Sequence, residues 1–188
     1  MLPPEGQIPN RIYHTGEEII VYLKQISKGV GGINLDITQG GVEFVEALLK
    51  RIVPEYDEGM VKIEKIVRYN GKRTKILVSS ADEKVDPVGV FVGHHGDRIN
   101  TVLSLLNGEK IDIIEWTDDP VRLVQDVLKP AKTTSIEIKN GKAYVKVPED
   151  QLSLAIGKQG QNVRLAAKLT GWNIDIVSAD ESKVEATA

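Results

Sequence analysis

The chain has 188 residues, with 24 Lys and Arg against 27 Asp and Glu, and its formal charge of -3 excludes a polycationic nucleic-acid wrapper, so any anion-binding surface has to be local. At 41% hydrophobic and 27% charged residues the composition is that of a globular protein able to bury a core, in one or two domains. The absence of cysteine excludes a disulfide framework, a thiolate zinc site and a cysteine nucleophile.

The opening MLPPEGQIPNR lacks the apolar stretch of a signal peptide, and no apolar run approaches the roughly 18 residues of a membrane span, so a cytosolic location is expected. Residues 17–27 (EEIIVYLKQIS) and 33–38 (INLDIT) read as two strands of a hairpin turning at Gly29, Gly31 and Gly32. From Gly41 the period becomes helical, with Val42, Val45, Leu48, Leu49 and Ile52 on one face, until Pro54 ends it. Two strands come next, MVKIEKIVRY and KRTKILVSS, joined at Asn70-Gly71. Asp86-Pro87 has the chemistry of a helix start, a side-chain acceptor followed by a residue with no amide hydrogen to satisfy.

The segment beginning at Val88 recurs 64 residues later. Val88, Phe91 and Val92 correspond to Leu152, Ala155 and Ile156; Gly93 and Gly96 to Gly157 and Gly160; Ile99, Val102 and Leu103 to Val163, Ala166 and Ala167. Each copy closes with a strand, IDIIEW at 111–116 and NIDIV at 173–177. A helix over Pro120 to Leu128, a stop at Pro130 and the strand pair TTSIEIK and KAYVKV precede the second copy. The order is helix, strand, strand, helix, GxxG, helix, strand, twice over, and SADESKVEATA reads as a loose tail.

A single GxxG carries little, since 17 glycines placed at random give about 1.5 occurrences. The copy at Gly29 lies between strands and reads as a turn. Those at Gly93 and Gly157 sit between amphipathic helices in a duplicated frame, which is what a KH domain needs to hold single-stranded nucleic acid. Glycine lets a sugar-phosphate chain approach the backbone, and the helix after it offers amides and a positive dipole end. The alternative is a helix-turn-helix connection in which glycine only permits tight packing. In the second copy Lys158, Arg164 and Lys168 add a basic ridge, where the first has His94, Asn100 and Ser104 with Arg98 nearby. Residues 131–177 carry 7 basic and 4 acidic side chains, and 41–130 carry 13 and 16, so the second module is expected to hold phosphate more tightly. His94-His95 is not expected to hold metal or perform catalysis, because adjacent side chains diverge and the remaining histidine, His14, is remote in sequence. A contact with phosphate or base, strengthening as pH falls, is expected instead. Trp116 and Trp172 are expected to pack beneath a sheet edge. No cofactor is expected.

The stretches Val85 to Trp116 and Asp150 to Ile176, above all DQLSLAIGKQGQNVRLAAKLTGWNIDI, resemble the tandem KH domains of the NusA family of bacterial transcription elongation and termination factors. LPPEGQIP and TGEEIIVYL resemble the later strands of that family's S1 domain. The resemblance implies an α+β chain: a partial S1/OB-like β segment over 1–40, type II KH modules over 41–117 and 118–178, and a flexible tail over 179–188. Each module would be a mixed three-stranded sheet covered by helices, the two packed as one extended RNA-binding surface. It implies a non-enzymatic, monomeric protein that binds nascent single-stranded RNA near RNA polymerase and modulates pausing, termination and antitermination. By motif position, Gly93, His94, His95, Gly96, Gly157, Lys158, Gln159 and Gly160 would form the clamp, flanked by Arg98, Asn162, Arg164 and Lys168. The family's polymerase-binding N-terminal domain and the first half of the S1 barrel have no counterpart in these residues, and about 40 residues cannot close a five-stranded barrel. Two other readings stand beside this one: a KH and S1 fragment of an RNA-degrading enzyme such as polynucleotide phosphorylase, and a docking module with idle loops.

Overall fold

A computed structural model describes residues 2–29 and 31–179. The expected tail lies outside the described residues apart from Ala179, whose amide donates to Val147 O at 2.8 Å. Two compact units divide the chain: the first gathers the residues up to 63 with 68–74 and 80–112, and the second gathers 64–67, 75–79 and 113 onward.

In the first unit β1 (Tyr22–Gly29) and β2 (Gly32–Thr38) form an antiparallel two-stranded sheet closed by the Gly29–Gly32 pair, with a bulge between Leu23 and Gln25. The first strand begins five residues later than expected. Arg11 and the His14 amide both bond the Glu17 carboxylate, and the Ile20 carbonyl accepts from Gln39 Nε2 at 2.6 Å, so this stretch is occupied away from a ladder. Leu23, Ile26, Ile33 and Leu35 stay exposed on the hairpin, which closes no barrel. Gln39, 1% exposed, ties the end of the hairpin to the N-terminal segment, since its Oε1 accepts from Tyr13 Oη at 2.7 Å and its amide donates to Gly6 O at 2.7 Å.

Helix α1 (Val42–Ile52) buries Val45, Leu48 and Leu49 of the expected face and Phe44 beside them, while Val42 and Ile52 at its two ends are half-buried. Pro54 does end it, yet its fixed φ also opens a further turn, α2 (Pro54–Asp57). Strands β3 (Val61–Tyr69), β4 (Arg73–Ser80) and β5 (Lys110–Glu115) lie side by side in that order. Between β4 and β5 run α3 (Pro87–Val92), capped by Asp86 accepting from the Val88 amide at 3.0 Å, and α4 (Asp97–Leu105). Buried Arg68 and Glu109 face each other at 2.8 Å, and the same guanidinium donates to Gln39 O and Gly41 O. Glu109 is further satisfied by Thr74 Oγ1 and the Gly71 amide.

The second unit contains α5 (Pro120–Leu128), β6 (Ser135–Lys139), β7 (Lys142–Val147), α6 (Glu149–Ile156), α7 (Gln161–Thr170) and β8 (Asn173–Ser178). Its sheet is mixed: β7 is central, antiparallel to β6 and parallel to β8. Alternation along β7 sends Ala143, Val145 and Val147 into a core with Val124, Val127, Ala155, Ala166 and Leu169, joined by Leu77 and Ile114. Trp172 packs, partly buried, against this core, whereas Trp116, for which the same packing was expected, remains 43% exposed, its backbone amide bonded to Val78 O at 2.8 Å.

Candidate nucleic-acid interface

The two GxxG turns repeat one backbone path. Gly93 and Gly157 have φ/ψ of 80°/175° and 76°/168°, a region open to glycine alone. His95 and Gln159 continue in the left-handed region at 51°/21° and 54°/28°, and Gly96 and Gly160 at 80°/15° and 73°/18°. The first glycine of each turn is also sterically required. A Cβ on Gly157 would lie 2.8 Å from the Asn162 amide nitrogen, and one on Gly93 would lie 2.7 Å from Arg98 Cγ. The last glycine is required only by its φ, since the nearest atoms to a Cβ would be Asn100 Nδ2 at 3.4 Å and Arg164 Nε at 3.5 Å. Each turn thus leaves a backbone ridge without side chains at its two glycines, directly ahead of the N-terminus of α4 or α7.

Residues expected to flank the loops divide into two kinds. His94, His95, Lys158, Gln159, Arg164 and Lys168 are exposed. Asn162 is not: it is 2% exposed, and its Nδ2 donates to Leu128 O at 3.0 Å, Ala155 O at 3.2 Å and Leu154 O at 3.4 Å. Its place beside the phosphate track is therefore corrected, because it ties α7 back to α5 and α6. Arg98, the equivalent residue of the first module, does the same for α3 by donating to Val90 O at 2.8 Å, and its guanidinium also meets Glu55 of α2 at 2.9 and 3.0 Å. The helical period carried a signal for both. Asn162 shares a face with buried Leu165, Ala166 and Leu169, and Arg98 with buried Val102 and Leu106.

The histidine rings do not diverge as expected. Positive φ at His95 brings their centroids to 4.0 Å, tilted by 58°. Among the described residues no group of three or more His, Cys, Asp or Glu is placed to hold a metal.

Charge separates the two loops further. In the first, Asp97 opens α4 and its carboxylate accepts from the Arg98 amide at 2.7 Å, occupying the helix end where a phosphate would sit. Arg98 is neutralised by Glu55, whose carboxyl is held below its ordinary value of 4.5 chiefly by the hydrogen bond from Arg98. In the second, Gln161 stands where Asp97 stands, and Lys158 and Arg164 flank it. Sequence reasoning missed Glu55, which is 43 residues from Arg98, and passed over Asp97, which is legible beside the motif.

Beside the second loop lies a groove of about 440 Å³ between the helices and β8, the sheet's edge strand. Ile156, Val163, Ile174 and Ile176 make it apolar, and Tyr144 and Asp175 supply its polar groups. An apolar trough beside a bare backbone ridge and two cations accommodates a strand that is charged along one side and flat along the other. Among the described residues no helix is long and apolar enough to cross a membrane.

A mixed three-stranded sheet, helices over it and a GxxG turn between two of them, present twice, define a tandem type II KH protein. Models of the NusA-like first KH domain and the NusA-like second KH domain match residues 39–116 and 120–184. Proteins named transcription termination/antitermination protein NusA are similar over nearly all of the chain. The Thermus thermophilus protein is 46% identical over 98% of the chain and 48% of its own length, that of Halalkalibacterium halodurans 41% over 97% and 48%, and that of Bacillus subtilis 40% over 97% and 50%. The chain belongs to the NusA family. It spans about half the length of the curated relatives it matches.

Proposed function

We propose that this chain binds single-stranded RNA through both GxxG turns, the second carrying more of the affinity, and acts on nascent transcripts in elongation, pausing, termination and antitermination. The observation that carries the reading is the repeated backbone path of the two turns, with Lys158 and Arg164 beside an apolar groove at the second. The role in transcription is supported by the name shared by its relatives, which is that of a regulatory factor and does not favour an RNA-degrading enzyme or an idle docking module. Contact with RNA polymerase is proposed for the whole protein on the same ground. Residues 1–40, 41–117 and 118–178 serve as an S1-like β segment and two KH modules, and the chain acts as a monomer. Linking the modules raises the effective concentration of the second contact once the first is made.

Fluorescence anisotropy with short single-stranded RNAs at two salt concentrations tests this. Lys158→Asp with Gln159→Asp is expected to weaken binding at least about tenfold and flatten its salt dependence, and His94→Asp with His95→Asp to weaken it less. Circular dichroism checks that both variants fold. Indifference of binding to both pairs would reject the clamp.

A further inference from the structure

The two turns follow one backbone path but differ in what stands against their first glycine. At Gly157 the three nearest neighbours of an added Cβ would all be atoms of Asn162, the amide nitrogen closest at 2.8 Å. At Gly93 the added Cβ would overlap Asp97 Oδ1, ahead of Arg98 Cγ at 2.7 Å and Arg98 Cβ at 2.9 Å. The Asp97 carboxylate is therefore folded back between Gly93 and the first turn of α4, where it accepts from the Arg98 amide at 2.7 Å. Arg98 and Asn162 hold the same place in the two modules, so the amide that Asp97 covers is the counterpart of the one that stands directly against Gly157. Gln161, uncharged, takes the place of Asp97 in the second module. The cation on the same turn of α4 is committed as well, since the Arg98 guanidinium donates to Glu55 and to Val90 O.

We propose that Asp97 holds the first turn shut: its carboxylate takes the position that an RNA phosphate needs at the start of α4, and a strand has to displace it to engage this module. This rests on the reading of both turns as RNA clamps. A helix start presents amides that have no partner within the helix, together with a positive dipole end, and a carboxylate satisfies them as a phosphate does. The two anions compete for the same donors, and Arg98, already paired with Glu55, does not offset their repulsion. Asp97 is exposed and its side chain is short, so it can swing away while α4 stays in place. At the second turn no such anion has to leave, and Lys158 and Arg164 add attraction. The first module then closes on RNA only when the second already holds the same strand and supplies a high local concentration of it.

The full chain with Lys158→Asp and Gln159→Asp isolates the first module for anisotropy titration with short single-stranded RNA. In that background Asp97→Gln, which gives the first turn the residue of the second, is expected to tighten binding by about tenfold and to steepen its salt dependence. Glu83→Gln removes an exposed charge from the loop ahead of α3, and it should change binding by less than about twofold. The reverse exchange, Gln161→Asp in the full chain with His94→Asp and His95→Asp, should weaken binding by about tenfold. Circular dichroism confirms folding of each variant. No gain from Asp97→Gln, an equal gain from Glu83→Gln, or undiminished binding by Gln161→Asp would overturn the proposal while leaving the clamp intact. Absence of RNA binding by the folded chain with both loops unaltered would reject the clamp itself and this proposal with it.

Discussion

Gly157 and Gly160 share a sign of φ but not a steric situation, so substitutions at the two should not be equivalent. At Gly160 alanine meets only the left-handed penalty, about 1–2 kcal/mol. At Gly157 the backbone is in a region closed to alanine, and the new methyl would collide with the backbone of α7 at Asn162, so a loss of more than about 3 kcal/mol is expected. Urea midpoints of the two variants should separate accordingly. The spacing GxxG was legible in the sequence, but which of its glycines bears the steric load was not, because that depends on a contact with the residue five positions on. The same contact misled the reading of Asn162. A polar residue next to a proposed binding loop suggests ligand contact, whereas its amide here is spent on three backbone carbonyls. Asn162→Ala should cost about 2 kcal/mol in urea unfolding and leave the salt slope of RNA binding unchanged.

At the level of elements, the turn α2 decides the charge of the first module. It begins where Pro54 was read as a stop, and it carries Glu55 to Arg98 and Tyr56 to Phe91, whose rings lie 5.5 Å apart. Because the Glu55 carboxyl titrates below 4.5 in the folded chain, its pairing stabilises the fold above that pH and is lost as the pH falls further through the lowered value. Glu55→Gln should therefore show a shallower loss of stability than the parent as the pH falls below 4.5 in denaturant titrations. It should also strengthen RNA binding by about twofold by releasing a cation. Tyr56 tests the same turn from the alkaline side. Burial and its hydrogen bond to Glu46 push the phenol up to about 12, so its contribution is complete below pH 10 and declines as pH rises from 10 toward 12. An ultraviolet titration of the folded chain should show a phenol ionising near about 12, and Tyr56→Phe should remove that step. Elements with strong periods, such as α1, α5 and β7, were readable because burial tracks one face. The turn α2 was not, since four residues carry no period.

At the scale of the whole molecule, the chain uses a buried ion pair to fix the segment that leads from the hairpin into the first KH module. Arg68 reaches Gln39 O and Gly41 O only while Glu109 compensates its charge. Glu109→Ala should cost about 3–5 kcal/mol, and Arg68→Met combined with Glu109→Leu should cost less than that single change. Thermal unfolding of the three proteins would decide it. Near-neutral composition proved a fair guide in one respect, since cations are concentrated beside one loop and absorbed by acids beside the other. The groove could not be read in advance, because it forms only when β8 pairs beside β7 and brings Asp175 alongside Ile156 and Val163.

The near-identity of the two turns has a consequence for how such a chain can change over time. Since the inner residues at 94–95 and 158–159 occupy the same backbone path between the same glycines, they are interchangeable inserts in two matching sockets. Histidine or lysine, aromatic or amide, can be exchanged there without renegotiating the scaffold. Ligand preference at each socket is then free to drift independently of the fold that displays it.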